Sequence, residues 1–103
     1  MFNNTTGNQN VAIGHNSLAT NTTATSNTAV GHETLLYNVA SLNTAVGGTT
    51  LRNNTTGLRN TAVGAISLRF NTIGTDNTAV GTYSLRNNTT GANNTAIGRD
   101  SMC

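Results

Sequence analysis

The sequence is short of nearly everything that builds an ordinary globular core. It has no Trp, no Pro and no Lys, its aromatic residues make up 4% of the chain, and its apolar residues make up 35%. Charged residues amount to 8%, against an average of about 25% in soluble domains. A chain of 103 residues is long enough for one domain, but a conventional core would need more large apolar side chains than these.

The same scarcity excludes several classes of function. Five arginines against three acids give a formal net charge of +2, which is too little for strong binding to nucleic acid through counterion release. No apolar run approaches the roughly 18 residues of a membrane span, and no signal-peptide pattern opens the chain. The single cysteine, Cys103, cannot form an internal disulfide. We therefore expect neither a nucleic-acid partner nor membrane insertion.

The chain is instead rich in Thr, Asn and Gly, with 21, 18 and 11 residues, and these are arranged in a repeat. The pentapeptide Asn-Thr-Ala-Val-Gly recurs with small variations, starting at Asn10, Asn27, Asn43, Asn60, Asn77 and Asn94. The intervals are 17, 16, 17, 17 and 17 residues. The unit from Asn27 lacks one residue and has Val39-Ala40-Ser41 where the consensus has Thr-Thr-Gly. Such a fixed period is the signature of a repeat architecture.

A period of 17 residues predicts a β-solenoid. It is too short for helix-pair repeats, which need roughly 33 residues or more, and Thr, Asn and Gly are poor helix formers. Short β-branched runs bracketed by Gly and Asn predict short strands joined by turns. We predict an all-β fold, a parallel β-solenoid (β-roll) of six coils stacked about 4.8 Å apart. It forms a single domain over residues 1–103, with Asn side chains hydrogen-bonded in ladders along the axis.

Two apolar columns are predicted to form the core. One is the Leu column of Leu18, Leu35, Leu51, Leu68 and Leu85, and the other is the Val/Ile column of Ile13, Val30, Val46, Val63, Val80 and Ile97. Side chains alternate across a strand, so the neighbouring Ala residues would form an outward interface stripe of Ala12, Ala29, Ala45, Ala62, Ala79 and Ala96. We favour this orientation because it hides six β-branched apolar residues. The opposite orientation, with Ala inside and a flat Thr/Val array outside, stays open.

Few side chains are candidates for chemistry. Shared repeat positions align three small groups: Arg52, Arg69 and Arg86; His15 and His32; and Tyr37 and Phe70. The arginine row fits an anionic ligand such as a glycan or phosphate, with a solvated charge row as the alternative. Two stacked imidazoles could hold a metal, but no third ligand is evident, and the aromatics could stack on sugars or form ordinary surface. We expect no metal and no cofactor.

Catalysis has no motif in this sequence. Of the three acids, Glu33 and Asp100 share a repeat position but lie four units apart, and Asp76 falls at another position, so the repeat brings no two of them together as a carboxylate pair. One repeat position always carries a Ser or Thr hydroxyl, but no base recurs beside it. Glycine-rich phosphate loops and cysteine clusters are missing. We therefore expect that the protein is not an enzyme.

The motif Asn-Thr-Ala-Val-Gly, followed by Ser-Leu and Asn-Thr-Thr-Gly, resembles the repeats of phage and bacterial tail-fibre proteins. It is also similar to the Val-Ala-Ile-Gly repeats of trimeric autotransporter adhesin heads, which residues 11–14 match in full. The resemblance covers the whole chain, although the adhesin heads use shorter coils. It implies a fibre shaft or adhesive head, a homotrimer, a place outside the cell or on a cell or virion surface, and a receptor such as a cell-surface glycan.

A further similarity runs to ice-binding solenoids of plants and bacteria, built from Asn-x-Val-x-Gly or Thr-x-Thr coils. In that alignment Thr and Val point outward as a flat array, from Thr28 and Val30 to Thr95 and Ile97, although a regular Thr-x-Thr strand is absent. Ice binding is thus the alternative to a fibre role. Neither open edge of the solenoid shows a cap, so we also expect either head-to-tail filaments or a piece of a longer fibre.

Overall fold

The computed structural model describes residues 1–102, which leaves Cys103 outside the described part of the chain. Six three-residue strands form within it: β1 (Val11–Ile13), β2 (Thr28–Val30), β3 (Thr44–Val46), β4 (Thr61–Val63), β5 (Thr78–Val80) and β6 (Thr95–Ile97). They form one parallel sheet in sequence order, with Ala aligned to Ala at every step. The predicted all-β parallel solenoid is confirmed, and its six strands are joined by about five complete turns.

The coils stay hydrogen-bonded to one another well beyond the strands. The Thr55 amide donates to the Thr72 carbonyl at 2.9 Å, and the Leu68 amide donates to the Ser84 carbonyl at 3.0 Å. These bonds pair the N–H and C=O groups of the turns, which lie outside the three-residue strands. Buried peptide groups need such hydrogen-bond partners. The result is an elongated body of 36 × 23 × 17 Å.

The Ala side of each strand faces the interior, which is the opposite of the orientation that we predict from the sequence. Ala29, Ala45 and Ala62 are fully buried in one cluster with the Leu column. Val63 in the same strand as Ala62 is 38% exposed. The predicted Leu core is confirmed, whereas two predictions are wrong. The Val/Ile column (Ile13, Val30, Val46, Val63, Val80, Ile97) lies outside, and the proposed interface stripe (Ala12, Ala29, Ala45, Ala62, Ala79, Ala96) lines the interior.

The reason for this inversion is volume. A coil of 17 residues encloses little space, and one Leu per coil fills most of it, so only a small side chain fits opposite. The Leu residues themselves adopt a left-handed backbone, with φ of 48° at Leu68 and 52° at Leu35. That conformation costs roughly 1–2 kcal/mol for a residue with a Cβ, and burial of a Leu side chain contributes about 1.5–3 kcal/mol. The free energy gained by burying the Leu side chain therefore offsets the cost of the left-handed backbone at this turn, where the sequence has no glycine.

Glycine is needed where two coils approach most closely. Gly64 follows β4 with φ of 120°, and a Cβ built there would come closer than 3.0 Å to the backbone of Gly81 in the next coil. The same position is Gly in all six repeat units. It lets the chain leave the strand without pushing the coils apart.

Two columns of asparagines, buried except at the two ends of the stack, complete the interior. The first Asn column is Asn10, Asn27, Asn43, Asn60, Asn77 and Asn94, and the second Asn column is Asn4, Asn21, Asn38, Asn54, Asn71 and Asn88. In the second column, Nδ2 of Asn71 donates to Oδ1 of Asn54 at 2.9 Å. In the first, Oδ1 of Asn60 accepts from the Asn77 amide at 3.1 Å. The predicted ladder of Asn side chains is confirmed in the second column, whereas the side chains of the first column accept from backbone N–H groups of the next coil. Both columns pair polar groups that would otherwise destabilise the core.

Candidate functional site

One regular surface is the outer side of the sheet, here called the Thr/Val face. It consists of Val11, Ile13, Thr28, Val30, Thr44, Val46, Thr61, Val63, Thr78, Val80, Thr95 and Ile97, which are exposed or partly exposed. Alternation along each strand puts Thr and Val outward on either side of the buried Ala. Successive strands repeat this pair about 4.8 Å apart, so the face is regular in two directions.

This face carries methyl and hydroxyl groups and no charged residue. Its Val/Ile file runs unbroken over all six strands, with Val46 at 37% exposure and Ile97 at 71%. Its other file is Thr in five strands and Val11 in the first. Single exposed apolar residues are normal on a protein, whereas a contiguous file of them is a feature typical of interaction surfaces.

The arginine row predicted from the repeat splits into paired and unpaired members. Nε of Arg52 donates to Oε2 of Glu33 at 2.6 Å, so this guanidinium is neutralised within the coil stack. Arg69 and Arg86 form no ion pair with any residue from 1 to 102. Sequence alone treated the three as equivalent, because the Glu33 carboxylate comes from a different repeat position in the preceding coil.

Aromatic rings accompany these arginines, and we call the whole group the arginine face: Arg52, Arg69, Arg86, Tyr37, Phe70 and Tyr83. The Arg52 guanidinium lies 5.3 Å from the Tyr37 ring centre, and Arg69 lies 5.3 Å from that of Phe70. Arg86 lies 5.5 Å from the ring centre of Tyr83. Such stacking holds a guanidinium in place through the ring's negative face.

Sequence reasoning missed Tyr83. It stands three residues before Arg86, at a repeat position otherwise filled by Asn16, Glu33, Thr49, Ile66 and Asp100. Nothing in the repeat groups it with Tyr37 and Phe70. The available signal was its closeness to Arg86 in a turn, which only becomes meaningful once the turn geometry is known.

The two histidines lie exposed on the surface, whereas the hydroxyl position is buried in most coils. The rings of His15 and His32 stack with centres 5.3 Å apart and planes within 9°, and residues 1–102 contain no group of three or more potential metal ligands. The hydroxyl position points inward: Oγ1 of Thr50 donates to the Gly64 carbonyl at 2.7 Å, and Oγ of Ser84 donates to the Ala96 carbonyl at 3.1 Å. These hydroxyls join one coil to the next.

The acids are held by arginines. Asp76 accepts from Nε and Nη2 of Arg59 at 2.7 and 3.0 Å, and the hydrogen bond from this guanidinium lowers the pKa of Asp76. The hydrogen bond from Arg52 likewise lowers the pKa of Glu33. Both carboxylates are thereby kept ionised and paired with a guanidinium. A general acid needs a raised pKa, whereas the pKa values of these two groups are lowered.

Within residues 1–102 the surface has no pocket. No helix in this part of the chain is long and apolar enough to cross a membrane. A ligand would therefore have to meet an open face, and the two faces with distinct chemistry are the Thr/Val face and the arginine face.

Comparison with protein-family models, curated proteins and solved structures finds no match to this chain. The resemblance to fibre and adhesin repeats thus rests on the motif alone. What the structure establishes is the parallel β-solenoid itself.

Proposed function

We propose that this chain is a structural, non-catalytic element of a fibre, and that copies of it associate through the Thr/Val face. The observation that carries the proposal is the outward Val/Ile file on a charge-free sheet. The resemblance to tail-fibre and adhesin repeats points the same way, to a place outside the cell or on a cell or virion surface.

The partner we propose for this face is a second copy of the chain. The apolar core of one copy consists of the Leu and Ala columns, and a core this thin rarely supplies more than about 3–5 kcal/mol of stability. Packing the β-branched side chains of two or three copies together would add a second apolar layer, as in obligate interfaces that resemble a divided core. Because every copy repeats at the same coil spacing, the two files fit in register.

Light scattering over a concentration range tests this association. The wild-type chain is expected to show a multiple of its 10.6 kDa mass, with a trimer as the form that the resemblance implies. Val46→Lys with Val63→Lys is expected to yield monomers, because charges would be buried in the interface without partners. A wild-type mass of one chain at every concentration would overturn the proposed association.

A matched control separates loss of the interface from a general effect of charge. Ile73 is a β-branched residue that is 54% exposed and lies outside the Thr/Val face. Ile73→Lys is expected to leave the mass of the assembly unchanged. A circular-dichroism spectrum that keeps its strand signal shows that each variant remains folded.

Ice binding is the second candidate, and the outward placement of Thr favours it. Thr28, Thr44, Thr61, Thr78 and Thr95 lie about 4.8 Å apart, each beside a Val or Ile on the same strand. A flat, doubly periodic array of hydroxyls and methyls can order water in a lattice. Val11 stands where the other strands have Thr, so the Thr file is one residue shorter than the Val/Ile file. No charged residue interrupts either file.

Thermal hysteresis of the same samples distinguishes the two candidates. Hysteresis from a monomeric wild-type chain, lost in Val63→Lys and kept in Ile73→Lys, would favour ice as the occupant of the face. An oligomer without hysteresis would favour the fibre. Both proposals use one face, so a chain that assembles through it has little of it left for ice.

A further inference from the structure

The arginine face has a charge distribution that the net charge of the chain conceals. Each of the three acids lies against an arginine: Glu33 at Arg52, Asp76 at Arg59 and Asp100 at Arg99, the last with 3.4 Å between Oδ2 and Nε. Glu33 also has Nε2 of His32 at 4.0 Å. Five arginines less these three leave two, so the formal charge of +2 corresponds to Arg69 and Arg86.

These two cations occupy the same repeat position in neighbouring coils. The Phe70 amide, next to Arg69, donates to the Arg86 carbonyl at 3.2 Å, which fixes the two coils side by side at this point. Nε of Arg69 is buried and makes no hydrogen bond with a described residue. An anion that pairs with this guanidinium must therefore approach its terminal nitrogens.

The rings of Phe70 and Tyr83 act as positioning residues. A guanidinium held over a ring by cation–π attraction loses rotational freedom, and it remains a planar fork of N–H donors. A planar fork of donors matches a carboxylate by two parallel hydrogen bonds. Two such forks, one coil apart, present two carboxylate sites in line with the solenoid axis.

We propose that Arg69 and Arg86 bind an acidic polysaccharide, a chain of sugars that each carry a carboxylate. The absence of any pocket in residues 1–102 favours a polymer laid along the surface over a small molecule. The sparse charge fits a polymer with one carboxylate per sugar, whereas nucleic acid needs a much denser basic surface. The site does not depend on the fibre proposal, because Arg69 and Arg86 lie in turns between the strands and are not part of the Thr/Val face.

Affinity gel electrophoresis at low ionic strength tests the proposal with polygalacturonate as the probe and neutral dextran as its uncharged counterpart. The full chain is expected to be retarded by polygalacturonate and not by dextran. Arg69→Gln and Arg86→Gln are each expected to weaken retardation at least about tenfold, since each removes a charge-assisted pair. Arg69→Lys is expected to weaken it too, because an ammonium keeps the charge and loses the fork.

Arg59 provides the matched control. Arg59→Gln lowers the net charge by the same one unit, but this arginine is already held by Asp76 at another repeat position, so retardation is expected to stay at the wild-type level. Phe70→Leu leaves the charge unchanged and releases the guanidinium, and an intermediate loss is expected. Unchanged melting temperatures show that these effects arise at the site and not from unfolding.

Three results would overturn the proposal. Equal weakening by Arg59→Gln would show attraction to net charge alone, and equal retardation by dextran would show that carboxylates are not recognised. Binding of single-stranded oligothymidylate as tight as that of polygalacturonate would replace the acidic-sugar site with a general polyanion surface. None of these results bears on the mass of the assembly, so the fibre proposal stands or falls separately.

Discussion

The coil from Asn27 to Leu42 and the coil from Asn60 to Asp76 have the same fold but differ in how their asparagines are paired. In the 17-residue coil, the Gly74 carbonyl accepts from Nδ2 of Asn60 at 2.8 Å and from Nδ2 of Asn71 at 3.0 Å. One carbonyl thus joins the first Asn column to the second. In the 16-residue coil the corresponding carbonyl, that of Ala40, accepts from Nδ2 of Asn38 at 2.6 Å, and Nδ2 of Asn27 in the first column does not reach it.

The missing residue leaves two buried atoms without a partner in the described chain. Nδ2 of Asn27 would have donated to the Ala40 carbonyl, and Oδ1 of Asn21 would have accepted from Asn38. Instead Asn38 turns to Ala40, and Oδ1 of Asn38 accepts from Asn43 and Asn54. The difference teaches that the two Asn columns form one coupled network, and that one deletion in a turn breaks it at two places.

The apolar column crosses both coils without interruption, so the largest expected effect should be the same in each. Leu35→Ala in the short coil and Leu68→Ala in a regular coil are each expected to lower the free energy of unfolding by about 2–5 kcal/mol, since both side chains are fully buried. Leu42→Ala, at an exposed Leu, serves as the control and should change it by less than about 0.5 kcal/mol. Urea unfolding monitored by circular dichroism measures all three, and a much smaller loss at Leu35 would mean that the deletion loosens the core as well.

Steric tolerance should differ between a turn followed by the short coil and a turn followed by a regular coil. Ala24 occupies the repeat position of Gly57 and is buried. We expect the short coil that follows it to leave room for its Cβ. A Cβ on Gly57 would come closer than 3.0 Å to the Gly74 carbonyl and to Oδ1 of Asn54. Gly57→Ala is therefore expected to destabilise by about 1–3 kcal/mol. Ala24→Gly should cost only about 0.4–1 kcal/mol, through the greater freedom of the unfolded chain; equal losses in the same urea titrations would argue against a steric role for the deletion.

The broken ladder should make an asparagine beside the short coil easier to replace than one in a regular coil. Oδ1 of Asn71 accepts from Asn88 at 2.8 Å, whereas Oδ1 of Asn21 has no partner. Asn71→Ala also strands Oδ1 of buried Asn54, at a cost of about 1–3 kcal/mol. Asn21→Ala strands Oδ1 of the less buried Asn4, which water can reach. Thermal melts should therefore show the larger decrease for Asn71→Ala, and the reverse order would contradict the coupled network.

The smallest expected effect is a dependence on pH to which each coil contributes one carboxylate, Glu33 in the short coil and Asp76 in the regular one. Both pKa values are lowered by a guanidinium, so these carboxylates stabilise the folded chain above their ordinary pKa values of 4.5 and 3.8 and lose that effect as the pH falls through the lower folded values. Melting temperature should be flat at neutral pH and decline below 4.5. Glu33→Gln and Asp76→Asn should each remove part of the decline; a decline that persists undiminished in the double variant would have another origin.

Much of the fold could be predicted because the repeat contains it. A regular 17-residue spacing, Leu at one position and Asn at another suffice to predict stacked coils, a Leu core and Asn ladders. The arginine row was aligned by the same logic. The sequence did not predict which of these arginines is paired with an acid, because Glu33 contacts Arg52 from another repeat position. It also did not predict the contact between Tyr83 and Arg86, because the turn that forms it has no signature in the sequence.

The sequence by itself determined the period, the parallel register and the residues that stack on one another, since identical residues one coil apart must align. Only the tertiary structure decided which side of the strand faces inward. Alternation fixes that Val63 and Ala62 point in opposite directions, but not which of them is buried. The narrow interior, already filled by Leu68, has room for Ala and not for Val, so packing volume rather than hydrophobicity placed the Thr/Val face outside.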